Sequence, residues 1–198
     1  YKQHSRVIFI GNNYTEQWIE LAKERGLPNL SNTVDAASAM IAENNVEMLN
    51  HYNILTKVEC VSRYEIMLEN YTKIITIEAN TMLEMTKRQI LPAVIKFSGD
   101  TAKSYTRLIE AGCLNENLQA MVSKLSKNIS DISKTCDILE KAVADLQTIS
   151  GTYDLAVSCR DNVKTAMEQL RLCADAAEVI VSSEAWPMPN YTDLLHRV

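Results

Sequence analysis

The sequence predicts an all-α fold, a long antiparallel three-helix bundle preceded by short helices and a short N-terminal extended segment. Three observations carry this. Residues 56–91 run without a single Gly or Pro until Pro92. Leu118, Val122, Leu125, Ile129, Ile132, Cys136, Leu139, Val143 and Leu146 form a seam spaced 4, 3, 4, 3 throughout, the heptad signature of a packed helix. Helix formers dominate the 198 residues, with only 5 Gly, 4 Pro and 6% aromatic side chains, far from the composition of barrels and sandwiches.

Taken in order, Val7, Ile8, Phe9 and Ile10 form a short apolar run closed by Gly11, Asn12 and Asn13, which reads as an extended piece ending in a turn. A lone strand leaves its backbone groups unpaired, so the run is either an irregular strap or, the favoured reading, a strand whose partners lie upstream of Tyr1. Thr15 is expected to cap a short helix through Arg25, ended by Gly26. Thr33 should cap a second, through about Glu43, and Asn45 should open a turn or two running to His51. Thr56 and Glu59 then form a capping box, in which each side chain bonds the other's free backbone N–H, and this fixes the start of the long helix. At a rise of about 1.5 Å per residue it reaches on the order of 50 Å before Pro92 bends or ends it. Its apolar stripe comprises Val61, Tyr64, Leu68, Tyr71, Ile75, Met82 and Met85, widened by Met67, Ile74 and Ile77.

Residues 96–112 continue helically with Gly99 as a weak point, and Gly112 turns the chain so that Asn115 can cap the heptad helix. Ser150-Gly151-Thr152 breaks that helix and caps another. Its seam of Ala156, Cys159, Val163, Ala166, Leu170, Cys173, Ala177 and Ile180 is built of smaller residues, so that large faces small. The Leu118 to Leu146 seam also suits a parallel two-stranded coiled coil. Its flanking Ser126, Asn128, Ser133, Thr135 and Ala142 lack the charges of a zipper and favour an intramolecular bundle. The organisation read from this is 1–55 as extended segment and short helices, 56–183 as helical bundle, and 184–198 as a docking tail. In that tail Trp186, Pro187, Met188, Pro189 and Tyr191 bring apolar area to an extended path.

Net charge is −5, with basic and acidic residues interleaved, which gives no footprint for nucleic acid. Apolar runs fall well short of the roughly 20 residues a bilayer span needs, and a soluble, cytoplasmic protein is expected. Cys60, Cys113, Cys136, Cys159 and Cys173 contain no CxxC pair and are odd in number, so reduced thiols are expected rather than disulfides or zinc. The opening at Tyr1 reads as part of something larger. His4, His51 and His196 lie in separate segments without metal-ligand spacing, and no nucleophile elbow, P-loop or dinucleotide fingerprint occurs. Glu78 is the one acid on the long helix's apolar stripe, and is read as structural or turned to solvent. Glu59 with Arg63, Glu69 with Lys73, and Glu84 with Arg88 are i,i+4 pairs that support helix. Met67, Met82 and Met85 read as core filling. No catalytic, cofactor-binding or metal-binding residue is predicted.

Several clusters together carry a resemblance. They are Arg6-Val7-Ile8-Phe9 with Gly11 and Tyr14; Trp18; Arg25-Gly26-Leu27; Ser62-Arg63-Tyr64-Glu65 with Leu68-Glu69-Asn70-Tyr71; Ile77-Glu78-Ala79 with Thr81-Met82; Ile90-Leu91-Pro92-Ala93-Val94; and Trp186-Pro187 with Pro189, Tyr191 and Asp193-Leu194-Leu195. In this order they resemble the C-terminal region of type III glutamine synthetases. Ile10, Asn13, Asn190 and His196 depart from the pattern. The resemblance implies a parent ligase that joins ammonia to glutamate through a γ-glutamyl phosphate, using ATP and magnesium or manganese, assembled as two stacked hexameric rings. It implies that the metal, ATP and glutamate motifs lie in a catalytic barrel preceding this region. The present chain would then be an inactive C-terminal fragment with a structural or subunit-contact role, its partners being its own catalytic domain and neighbouring subunits. A stand-alone helical interaction or signalling module is the alternative reading.

Overall fold

The computed structural model describes residue 8, residues 11–189 and residues 191–196. Val7, Phe9 and Ile10 of the expected extended run lie outside the described residues, as does His4. Among the described residues every regular element is helical, as the sequence predicts. No helix among them is long and apolar enough to cross a membrane. The chain divides into two compact units, Tyr1–Leu68 and Glu69–Val198.

In the first unit, α1 covers Glu16–Glu24, α2 Thr33–Met40 and α3 Glu43–His51. Gly26 adopts φ 73°, and the Leu27 N–H returns to the Ala22 carbonyl at 2.9 Å, the left-handed helix ending anticipated there. Two expected caps differ. The Thr15 hydroxyl donates to the Asn12 carbonyl instead of accepting from α1. Asn32, not Thr33, caps α2 by accepting from the Asp35 N–H at 2.9 Å, because the amide oxygen of Asn reaches the third helical N–H as well as any hydroxyl does. Helix α4, Lys57–Met85, begins at the capping box as read from the sequence. Glu59 accepts from the Thr56 N–H at 2.8 Å, and the Glu59 N–H reaches the Thr56 hydroxyl at 3.3 Å. Glu59 is thereby engaged with Thr56, and the expected pairing with Arg63 does not form. Glu69–Lys73 and Glu84–Arg88 do pair, at 3.6 and 3.3 Å.

The division between the units falls within α4. In the second unit α4 runs into a π-turn, Thr86–Ile90, and then α5, Leu91–Glu110. Pro92 therefore does not end the rod. The wider π-turn restarts the α-helical ladder at Leu91, so Pro92 occupies its first turn, where a missing N–H costs nothing. Gly99 stays helical, and Gly112 turns the chain at φ 76°. Helix α6, Glu116–Asp145, is capped by Asn115, which accepts from the Leu118 N–H at 3.0 Å as predicted. A 3-10 turn and Gly151 at φ 107° lead to α7, Thr152–Ser158. Within the Ser150-Gly151-Thr152 break, Gly151 takes the cap position and Thr152 is the first helical residue. A second π-turn, Cys159–Val163, joins α7 to α8, Lys164–Glu178. The short α9 spans Tyr191–His196.

Chain direction is fixed by two polar ties. Lys87 on the first rod meets Glu140 on α6 at 2.7 Å, and the Asn128 amide of α6 donates to the Ala176 carbonyl of α8 at 3.4 Å. Each pair straddles its intervening turn symmetrically, so α6 runs antiparallel to both neighbouring rods. One apolar cluster unites them: Ile75, Ala79, Leu83, Ile90 and Val94 from the first rod, Leu125, Ile132, Cys136 and Leu139 from α6, and Cys159, Val163, Ala166, Leu170, Ala174 and Ala177 from the third. Every residue of the α6 seam is buried or half-buried. Full burial of each Leu or Ile contributes about 1.5–3 kcal/mol, and this layer holds the unit together.

The α4 stripe departs from the expected one. Met67, Ile74 and Ile77 are exposed, and Ala79 and Leu83 are buried in their place. A straight helix with 3.6 residues per turn drifts about 20° per heptad away from a 3.5-residue template, so the inward face rotates off the predicted seam within two heptads. The tail docks on its own unit. Trp186 is 7% exposed within the cluster, and Met188 packs against it.

Candidate functional site

The second unit has a groove of about 650 Å³ between the α4 rod and α8, bordered along one edge by Met188 and Pro189. Its lining follows from helix periodicity. Ile77, Thr81 and Met85 recur on one side of α4, and Met167, Leu170 and Ala174 on one side of α8. Ala174 on α8, with Ala166 and Ala177 nearby in the seam, leaves room where a larger side chain would close the gap. Met82, Met85, Met167 and Met188 line the groove, four of the eight methionines in the chain, and all four are only half-buried. Glu78, Arg171, Asp175 and Glu178 stand exposed at the edges, and Arg171 Nε lies 3.4 Å from Asp175 Oδ2.

The lining is mostly apolar and includes no Ser, Cys, Lys or His. Glu78 is turned to solvent at its edge, one of the two readings its position allowed. Met82 and Met85 were legible as an apolar stripe. Met188 was legible as part of a docking tail but not as a neighbour of α4, and Met167 was missed, since nothing in sequence spacing tells that α8 and the tail meet α4 there.

The other chemistry-bearing side chains remain dispersed. Cys60, Cys113, Cys136, Cys159 and Cys173 are all free thiols, and Cys113 alone is exposed. Burial pushes the Cys159 thiol above its ordinary value, and nearby Thr72 and Thr76 hydroxyls counter this only in part. Cys136 is likewise raised by burial, with Lys87 acting in the opposite sense. Both are packing thiols, poorly suited to attack. His51 sits edge-on to Tyr52 with ring centres 5.0 Å apart, and His196 falls in α9. Among the described residues no three His, Cys, Asp or Glu side chains converge as a metal ion would require.

Comparison with known proteins shows what this chain is similar to. A family model described as the glutamine synthetase C-terminal domain matches residues 1–108. A glutamine synthetase of Butyrivibrio fibrisolvens is 32% identical over 97% of this chain and 28% of its own length. The type-3 glutamine synthetase of Dictyostelium discoideum is 32% identical over 98% of this chain and 27% of its own. A glutamine synthetase of Bacteroides fragilis is 24% identical over 96% and 27% respectively. The chain thus spans little more than a quarter of the length of these relatives. With its family model matched over more than half of its residues, this chain belongs to the glutamine synthetase C-terminal domain family.

Proposed function

We propose that this chain is the C-terminal helical module of a glutamate–ammonia ligase, a parent enzyme that activates glutamate with ATP and captures ammonia on the γ-glutamyl phosphate. The observation that carries this reading is coverage: nearly the whole chain aligns with glutamine synthetases, yet accounts for 27–28% of their length. The module is itself non-catalytic and supports assembly. ATP and magnesium or manganese belong to the remainder of the parent. Among the described residues no ligand set for a metal ion converges.

In this proposal residues 1–55 link to a catalytic barrel, 56–183 form the supporting bundle, and 184–198 are the docking tail. The partners are that barrel and neighbouring subunits of a cytoplasmic homo-oligomer, a double hexameric ring. Helical rods of this length resist bending and suit a role in holding subunits at fixed spacing. The test is to truncate the parent enzyme before Thr56 and measure mass by light scattering together with synthetase activity. Loss of the full assembly, with activity falling alongside it, is expected. Unchanged mass and unchanged activity would overturn the structural role.

A further inference from the structure

We propose that the methionine-lined groove of the second unit is a docking site for an amphipathic α-helix of a partner protein, one whose apolar stripe is flanked by Lys or Arg. The inference stands apart from the supporting role above and rests on shape, lining and charge.

One wall extends from Ile77 on α4 through the π-turn to Ile90, and the other, on α8, from Met167 to Glu178. At a rise of 1.5 Å per residue these walls are about 20 and about 16 Å long, room for roughly three helical turns and more than a compact small molecule spans. Half-buried methionines suit this use, because three rotatable bonds and a polarisable sulfur let them shape themselves to an incoming side chain. The apolar path continues outside the groove. Ile74, one turn before the lining residue Ile77 on the same face, is 54% exposed.

Charge selects the partner. Three carboxylates, Glu78, Asp175 and Glu178, border the groove against one guanidinium, Arg171, which is already engaged with Asp175. Among the described residues Glu78 and Glu178 have no cationic partner. They stand on opposite walls, so a bound helix meets negative charge on both flanks. A basic helix is attracted and an acidic one repelled. A second copy fits poorly: the chain carries net charge −5, and α9, the short helix that follows the groove's edge, has six residues and includes Asp193.

The test uses the full chain with methyl-labelled methionine, titrated with a model helix of about 14 residues carrying Leu at i, i+4 and i+7 and Lys elsewhere, and with its Glu-for-Lys counterpart. Expected are NMR shifts at Met82, Met85, Met167 and Met188 but not at Met40 or Met48. The Lys helix should bind on the order of tenfold more tightly than the Glu helix. The pair Glu78→Gln/Glu178→Gln should weaken binding severalfold, whereas Glu69→Gln/Glu116→Gln, which removes equal charge elsewhere, should not. Thr81→Arg, at an exposed position on the groove wall, should block binding while leaving the circular dichroism spectrum intact. The proposal is overturned by shifts spread over all the methionines, by equal binding of the two helices, or by indifference to Glu78→Gln/Glu178→Gln. It is also overturned by a doubled mass of the chain alone that Thr81→Arg abolishes, which assigns the groove to a second copy.

Discussion

Trp186 contributes stability through area and forfeits some through its indole N–H. The ring is buried among the tail and the helices it touches, yet Nε1 has no hydrogen-bond partner among the described residues. A buried donor left unpaired costs about 1–3 kcal/mol. Trp186→Ala, which deletes ring and donor together and leaves a cavity, should cost about 3–5 kcal/mol in chemical denaturation. Trp186→Phe, which keeps most of the ring and removes the unpaired donor, should cost less than about 1.5 kcal/mol. Equal losses for the two variants would show that the indole N–H is satisfied in solution. A second residue-scale effect lies at the start of α4. The Thr56 N–H, and then its hydroxyl, hold the Glu59 carboxyl below its ordinary value of 4.5. A depressed folded-state value means the cap stabilises at pH above the unfolded value and loses that effect as pH falls through the folded one. Glu59→Ala should therefore melt below the wild type at neutral pH, and the two curves should converge as the solution is acidified past the carboxylate range.

At the scale of the element, the π-turns are the features that set which faces are buried. Each turn places an extra residue into a rod, and the burial pattern depends on it: Ile75, Ala79 and Leu83 before Thr86–Ile90 and Val94 after it belong to one core. Deleting Gln89, an exposed residue, should convert the π-turn to α-helix and rotate everything after it by about 100° relative to what precedes. Val94 and Thr101 would leave the core, so a large drop in melting temperature is expected, whereas Gln89→Ala should be almost silent. Comparable melting of deletion and substitution would contradict the register argument.

The same feature explains what was legible in the sequence. The capping box at Thr56, the Asn115 cap, the Gly26 and Gly112 turns and both heptad seams were readable, because each rests on chemistry within one turn of helix or on an unbroken period. The fate of Pro92, the inward face of α4 and the burial of Ala79 were not. They depend on a π-turn that no residue type announces and on drift accumulated over many turns. Half of the groove was hidden for a further reason, since Met167 and Met188 reach it only through packing between segments far apart in sequence.

For the molecule as a whole, stability is unevenly sourced. The second unit has a continuous core drawn from three rods and the tail, whereas among the described residues of the first the buried apolar ones are Val34, Ala37, Cys60 and Leu68. Surface ion pairs add little: Lys87–Glu140 is short at 2.7 Å, but both side chains are largely exposed, and such pairs are worth about 0–1 kcal/mol. The tail should matter more than the charges. A chain ending at Val181 loses Trp186 and Met188 from the core, and its melting temperature should fall by several degrees while the helical content of the rods persists at low temperature. A melting curve superimposable on that of the full chain would show the tail to be ornamental in isolation.

The two tryptophans fall one to each unit, Trp18 in the first and Trp186 in the second. The molecule thus carries a separate optical probe for each half. With Trp18 replaced by Phe, emission comes from the indole seated in the core of the second unit, and its red shift times the release of the tail. With Trp186 replaced, the remaining signal belongs to the first unit. Comparing the two traces tells whether the halves of the chain melt together or in sequence, with no label added.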